Sequence, residues 1–141
     1  MLIQQLTTAN MQCLDRLAPE VFDNAIDPVQ LARFLGDPRH LMLVAIEDDL
    51  VVGMASGVEY FHPDKPPQMW INEVGVSPAW QRRGIGRALT AAVVEAARQR
   101  GCAYAWLGTD RDNTTGQACF RSVPDVEPPQ SFLLYEWDLE D

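Results

Sequence analysis

The spacing of apolar and polar positions changes several times along the chain, and each change marks an element. "LIQQL" at residues 2–6 is short and β-like, and "TTAN" after it supplies side-chain oxygens suited to capping a helix from about Met11. "DPVQLARFL" is a second helical signal. Asp27 can cap it, Pro28 suits the first helical position, and Val29, Leu31, Phe34 and Leu35 share a broad apolar face before Gly36. "LMLVAI" (41–46) and "LVVGMASGVEYF" (50–61) flank the polar "EDD" and predict an antiparallel hairpin. The three prolines of "HPDKPP" interrupt regular structure, and "MWINEVGV" resumes a strand over 69–76.

"SPAWQRRGIGRAL" (77–89) follows at once. After it, Ile85, Ala88, Leu89, Ala92, Val93, Ala96 and Ala97 recur at the i, i+3, i+4 spacing of one helical face, with Gly101 as the C-terminal stop. "AYAWLG" (103–108) predicts another strand, so 69–108 reads as a strand–helix–strand unit whose strands run parallel through a right-handed crossover. "DNTTGQACFR" suits a short helix capped near Asp112 or Asn113, and the alternation in "SFLLYEWDL" (131–139) suits a terminal strand. The class is mixed α/β, of the α+β type, with antiparallel strands first.

Composition narrows the function classes. A chain of 141 residues, 47% hydrophobic and 22% charged, is expected to form one domain over 1–141, and nothing in it resembles a leader or a membrane span. A cytoplasmic protein without a membrane partner is expected. Cys13, Cys102 and Cys119 are odd in number and far apart, which suits buried thiols in a reducing compartment. His40 and His62 have no acid or cysteine at ligand spacing, so no metal is expected. The formal charge of −9 repels polyanions, which argues against nucleic acid and favours a cationic small molecule. Trp70, Trp80, Trp106 and Trp137 lack an accompanying basic patch and read as core or interface residues.

The arginine- and glycine-rich loop carries the chemistry. A helix beginning just after Gly84 leaves unpaired N–H groups and partial positive charge at its first turn. Gly84 and Gly86 let a diphosphate approach the backbone, and Arg82, Arg83 and Arg87 can neutralise it. A Walker loop is excluded, because Arg87 stands where its Lys would and Ala88 follows where Ser or Thr is needed. A dinucleotide fingerprint is excluded by Leu89 at its third small position.

"VGVSPAWQRRGIGRAL" resembles the Q/R-x-x-G-x-G/A signature of the GNAT superfamily of acetyl-CoA-dependent N-acetyltransferases, together with the flanking strand, helix and "AYAWLGT". "DNTTGQACF" is similar to that family's later Asn-containing segment, and "WINEVGV", "HPDKPP" and "YEWDL" resemble the small aminoglycoside 3-N-acetyltransferase-like bacterial group. The resemblance implies a GNAT fold with a mixed central sheet of about six or seven strands flanked by helices, and acetyl-CoA as cosubstrate. It also implies a bulge around Gly75. Val74 and Val76 would offer backbone groups to the pantetheine amides, and Gln81, Arg82, Arg83, Gly84, Ile85 and Gly86 would hold the pyrophosphate with Arg87 beside it. Asn113 would bind near the cofactor arm, Phe120 would approach the sulfur, and an N–H near Val74 would serve the oxyanion.

An alkylammonium must lose a proton before it attacks a thioester, which calls for a carboxylate. Glu73 is the first candidate base and Glu59 the second, with substrate-ammonium binding as the other reading of Glu73. Asp64 and Lys65 either touch the acceptor or are solvated. Two features depart from the family pattern. Phe120 stands where many members have a Tyr that protonates the leaving thiolate, and "SVPDVEPP" replaces the usual Gly-Phe. The leading expectation is acetyl transfer to a primary amine of a small cationic acceptor, aminoglycoside-like or polyamine-like. A protein or peptide N-acetyltransferase and a noncatalytic CoA-binding regulatory module are the alternatives. Terminal strands in similar proteins often pair, which makes a homodimer an expectation as well.

Overall fold

The structure is a computed structural model and describes residues 1–140. One five-stranded sheet forms in the order β1 (Leu2–Gln5), β2 (His40–Glu47), β3 (Leu50–His62), β4 (Lys65–Val76), β5 (Tyr104–Trp106). The first four strands are antiparallel and β5 runs parallel to β4. Three helices complete the fold: α1 (Pro28–Gly36), α2 (Ile85–Gln99) and α3 (Thr114–Arg121). The mixed sheet flanked by helices agrees with the sequence expectation, with five strands in place of six or seven. The missing strand is the terminal one. Residues 131–139 form no ladder, although their side chains alternate as a strand's would.

Local chemistry explains most boundaries. Asp27 caps α1 by accepting from the N–H groups of Val29 and Gln30, as its position predicts. At Met11 the chain instead forms only a 3-10 turn, Met11–Asp15. The Asn10 side chain does not cap it, because it accepts from Thr7 N–H and donates to Gln5 O. The β2–β3 turn places Asp48 and Asp49 at φ 50° and 63°, the left-handed pair that a two-residue hairpin needs. "HPDKPP" does not break the sheet. β3 and β4 pair through it, and the register shift between Tyr60 and His62 takes up Pro66 and Pro67. Gly101 ends α2 at φ 80°, with Cys102 N–H donating to Ala97 O and Gly101 N–H to Arg98 O.

The core lies between the sheet and α2. Ile85, Leu89, Val93 and Ala97 of the predicted face are buried, joined by Thr90, whose hydroxyl donates to Gly86 O at 2.7 Å. Each large apolar side chain there contributes about 1.5–3 kcal/mol. Helix and sheet meet closely because β3 presents small residues beneath α2. A Cβ on Gly53 would sit 3.0 Å from Leu89 Cδ1, and one on Gly57 would sit 3.3 Å from Val93 Cγ1.

The decisive irregularity is in β4. Ser56 pairs with Glu73 but Gly57 pairs with Ile71, so Asn72 is an extra residue. The bulge therefore falls at Asn72 and not around Gly75. Met69 and Ile71 are buried toward α2, and Val76 lies beside Gly86 at the start of that helix. Strict alternation from Ile71 would bury Glu73 beneath α2; the inserted residue turns it to the opposite face. Gly75 shares that face, where a Cβ would fall 2.6 Å from Val21 O. That clash is with backbone, so Gly75→Ala is expected to destabilise the fold by about 1–3 kcal/mol in urea titrations, whereas the exposed Gly36→Ala should not.

Candidate functional site

β4 and β5 pair only at Gln68–Trp70 with Tyr104–Trp106. Beyond Trp70 and Trp106 the strands separate, and the bulge falls on β4 just past that point. A cleft of about 280 Å³ opens in the gap, lined by Asn72, Glu73, Val74 and Gly75 of β4, by Gly108 and Thr109 after β5, and by Asn113 and Phe120 of the α3 region. Glu20, Val21, Asp23 and Met54 close it from the other side. The loop holding Glu20 is pinned to the sheet. Ala18 N–H donates to Val51 O and Val51 N–H to Arg16 O, each at 2.9 Å, and Ala18 and Val21 are buried.

The glycine loop sits at the end of β4. Gln81 Nε2 donates to Val76 O at 3.0 Å, which ties the loop back to the strand. Arg82 has φ 63° and Gly84 φ 80°, so the chain turns sharply with its amides outward. No side chain caps α2 at Gly84, and the Arg82, Arg83 and Gly84 N–H groups donate to nothing among the described residues. Gly86 has a steric reason to lack a side chain: a Cβ there would lie 3.1 Å from Cys119 Sγ and 3.6 Å from Val76 Cγ2. Free amides, an uncapped helix N-terminus and two exposed arginines fit the diphosphate of CoA.

Two expected residues take other roles. Arg87 Nε donates to Ser122 O at 2.8 Å and fastens the end of α3. Its Nε is thus engaged by the end of α3, beside the loop. Glu59 does not line the cleft. It lies against the far end of α2, where Arg100 Nη1 donates to Glu59 Oε1 at 3.1 Å and to Pro38 O at 2.8 Å. An ion-paired carboxylate there cannot serve as the base of a cleft it does not reach.

Glu73, Val74, Asn113 and Phe120 do line the cleft. Asn113 accepts from Gly116 N–H and donates to Thr109 Oγ1, each at 3.0 Å, so it caps α3 and braces one cleft wall. The three thiols are unpaired and partly buried, and burial pushes each upward, Cys119 beside Gly86 included. Among the described residues no group of side chains could hold a metal ion, and no helix is long and apolar enough to cross a membrane.

Sequence reasoning missed Glu20, Asp23, Asn72 and Thr109. Asn72 had a signal in its place within "WINEV", but only strand pairing shows which residue is inserted. Glu20 and Asp23 alternate with Val21 in a loop, where no period predicts direction. Trp70 and Trp106 were read as core or interface residues, yet they are 39% and 37% exposed.

A helix N-terminus open to a diphosphate, next to parallel strands that part over a cleft, defines a CoA-dependent acyltransferase architecture. The comparisons agree. Residues 5–123 match the model of the "Acetyltransferase (GNAT) family". The chain belongs to this family of acetyl-CoA-dependent N-acetyltransferases, with acetyl-CoA as cosubstrate. It is 32% identical over 123 residues to N-alpha-acetyltransferase RimI of Mycobacterium tuberculosis, covering 86% of this chain and 75% of that protein. It is 34% identical over 90 residues to mycothiol acetyltransferase of Kocuria rhizophila, covering 62% of this chain but only 30% of that one. The fold matches AAC(6')-Iy in complex with a bisubstrate analog, CoA-S-monomethyl-acetylneamine, with TM-score 0.74, 20% identity, and coverage of 96% and 97% of the two chains. That structure is of a 6'-N-acetyltransferase, whereas "WINEVGV", "HPDKPP" and "YEWDL" resemble the 3-N group.

Proposed function

We propose that the protein transfers acetyl from acetyl-CoA to a primary amine of a small, cationic acceptor. The observation that carries the acceptor class is the charge of the cleft: Glu20, Asp23 and Glu73 line it, and no Lys or Arg does. Of the three, Glu73 lies on the strand that leads into the glycine loop. Its role is to take the ammonium proton, directly or through a water, as the amine nitrogen bonds to the acetyl carbon and the carbon–sulfur bond breaks. Glu20 and Asp23 hold the protonated acceptor. Phe120 has no proton to give, so the departing thiolate is protonated from solvent. Val74 and Val76 lie on the part of β4 that β5 leaves unpaired, which suits backbone pairing with the pantetheine arm. Glu73→Gln is expected to lower kcat at least tenfold at pH 7 and less at pH 10, where far more of the amine is already free. A loss of equal size at both pH values, in a thiol-release assay, would make Glu73 a positioning residue.

The loop assignment is tested separately. Arg82 and Arg83 make no hydrogen bond among the described residues, so replacing both by Ala should leave the urea midpoint unchanged. CoA binding by calorimetry should weaken ten- to a hundredfold, with a reduced salt dependence. Unaltered affinity would sink the role given to these arginines.

The likeness to RimI favours a second reading, an α-amine of a peptide or protein. A panel of polyamines, aminoglycosides and short peptides separates the two by which class releases thiol. CoA binding without turnover on any of them would leave the noncatalytic module suggested by Phe120.

The terminal segment supports pairing with a second copy. Phe132, Leu133, Leu134, Tyr135, Trp137 and Leu139 are 62–89% exposed. Their combined area is roughly 800 Å² per protomer, the size of a standard interface. β5 offers an edge with no partner among the described residues. Leu134→Lys with Trp137→Lys is expected to convert a sedimenting dimer into monomer; a monomeric parent protein would refute the pairing.

A further inference from the structure

On the face opposite α2, the sheet carries an aromatic surface that runs directly into the cleft. Trp70 of β4 and Trp106 of β5 are paired across the parallel ladder and stack with centroids 6.1 Å apart at 25°. The Trp106 ring is held by a relay, and Trp70 stacks on it: Trp106 Nε1–H donates to Tyr60 Oη at 2.8 Å, and Tyr60 O–H donates to Gln68 Oε1 at 2.6 Å. Tyr104, two residues before Trp106 on the same face, is 56% exposed. Fixed orientation and solvent exposure together are unusual for two large aromatic side chains, since burial normally does the fixing.

The position of the pair relative to the cleft gives it meaning. Asn72 lies two residues beyond Trp70 and Gly108 two beyond Trp106, and both line the cleft. Along β4, residues two apart share a face, so the Trp70 indole, with Trp106 stacked on it, leads up to the cleft at Asn72. Glu73, turned to this face by the bulge, stands about 7 Å further along β4 than Trp70, two strand rises once the inserted Asn72 is discounted. An acceptor whose reacting amine meets Glu73 therefore has its next functional group at the indoles. An exposed indole surface attracts a cation by its quadrupole. The acidic cleft beside it already selects for positive charge.

We propose that Trp70 and Trp106 form a subsite for a second ammonium group of the acceptor, which makes the protein selective for amines carrying two cations roughly 7–10 Å apart. The subsite rests on the amine-acceptor reading above, and it deepens that reading from any cationic amine to a diamine of defined span. Tyr60 and Gln68 act as positioning residues that hold the Trp106 ring.

The test compares hexane-1,6-diamine with hexan-1-amine, which share a chain and differ by the second cation. In the thiol-release assay the intact protein is expected to favour the diamine in kcat/KM by about fivefold or more. Trp70→Leu and Trp106→Leu should each bring that ratio toward one, and Trp70→Phe should keep part of it. A ratio unchanged by both Leu variants, with turnover intact, would overturn the subsite while leaving the acetyl-transfer reading in place. A change of oligomeric state on Trp70→Leu would assign the pair to an interface between copies and also overturn it. Absence of thiol release with either amine would count against the acceptor reading instead. The subsite is then read by calorimetry in the presence of CoA, where it requires the intact protein to bind the diamine more tightly than the monoamine and Trp70→Leu to lose that difference.

Discussion

One extra residue in β4 organises the functional face of this protein. With Met69 and Ile71 committed to the core beneath α2, the pleat would send Glu73 to the same side. The insertion at Asn72 reverses the alternation, so Glu73 faces the cleft while Val74 and Val76 resume the helix-facing side. A buried unpaired carboxylate under α2 would cost several kcal/mol. The bulge avoids that cost and turns the same carboxylate into the lining of the cleft.

The bulge also belongs with the parting of β4 from β5. Their ladder ends at Trp70 and Trp106, one residue before the register shift on β4's other side. The cleft is floored by strand backbone, with α3 and the Glu20 loop as its walls. It stays open because those walls are held elsewhere: Arg87 fastens the end of α3 through Ser122 O, Asn113 ties its start to Thr109, and the Arg16–Val51 pairing holds the acidic loop. Several residues that look like ligand-binding candidates in the sequence thus serve to place other groups. Arg87 and Glu59 are both of this kind, each spent on fastening a helix end to its surroundings.

The fold and the cofactor loop were largely legible before the structure. The helical period over 85–97, the Asp27 cap and the Gly101 stop are local devices, and local devices are written in adjacent residues. The glycine loop is legible for the same reason: the unpaired amides that suit it to a diphosphate belong to consecutive residues at a helix terminus. The terminal segment failed as a predicted strand for a complementary reason. Its alternation is real, but a strand needs a ladder partner, and residues 131–139 pair with no strand among the described residues, Phe132 only packing over Gly108.

What the sequence by itself determined, then, was the class of fold, the Asp27 and Gly101 helix termini and a glycine loop suited to a diphosphate, all of which depend on spacing along the chain. The acceptor side was decided only in three dimensions. Which carboxylates meet, which face Glu73 takes, that Glu59 is occupied by Arg100 and that Trp70 stacks on Trp106 all depend on strand register and on contacts between residues far apart in the chain. A one-residue change of register moves every side chain beyond it to the opposite face, and periodicity in one strand carries no information about its partner's register.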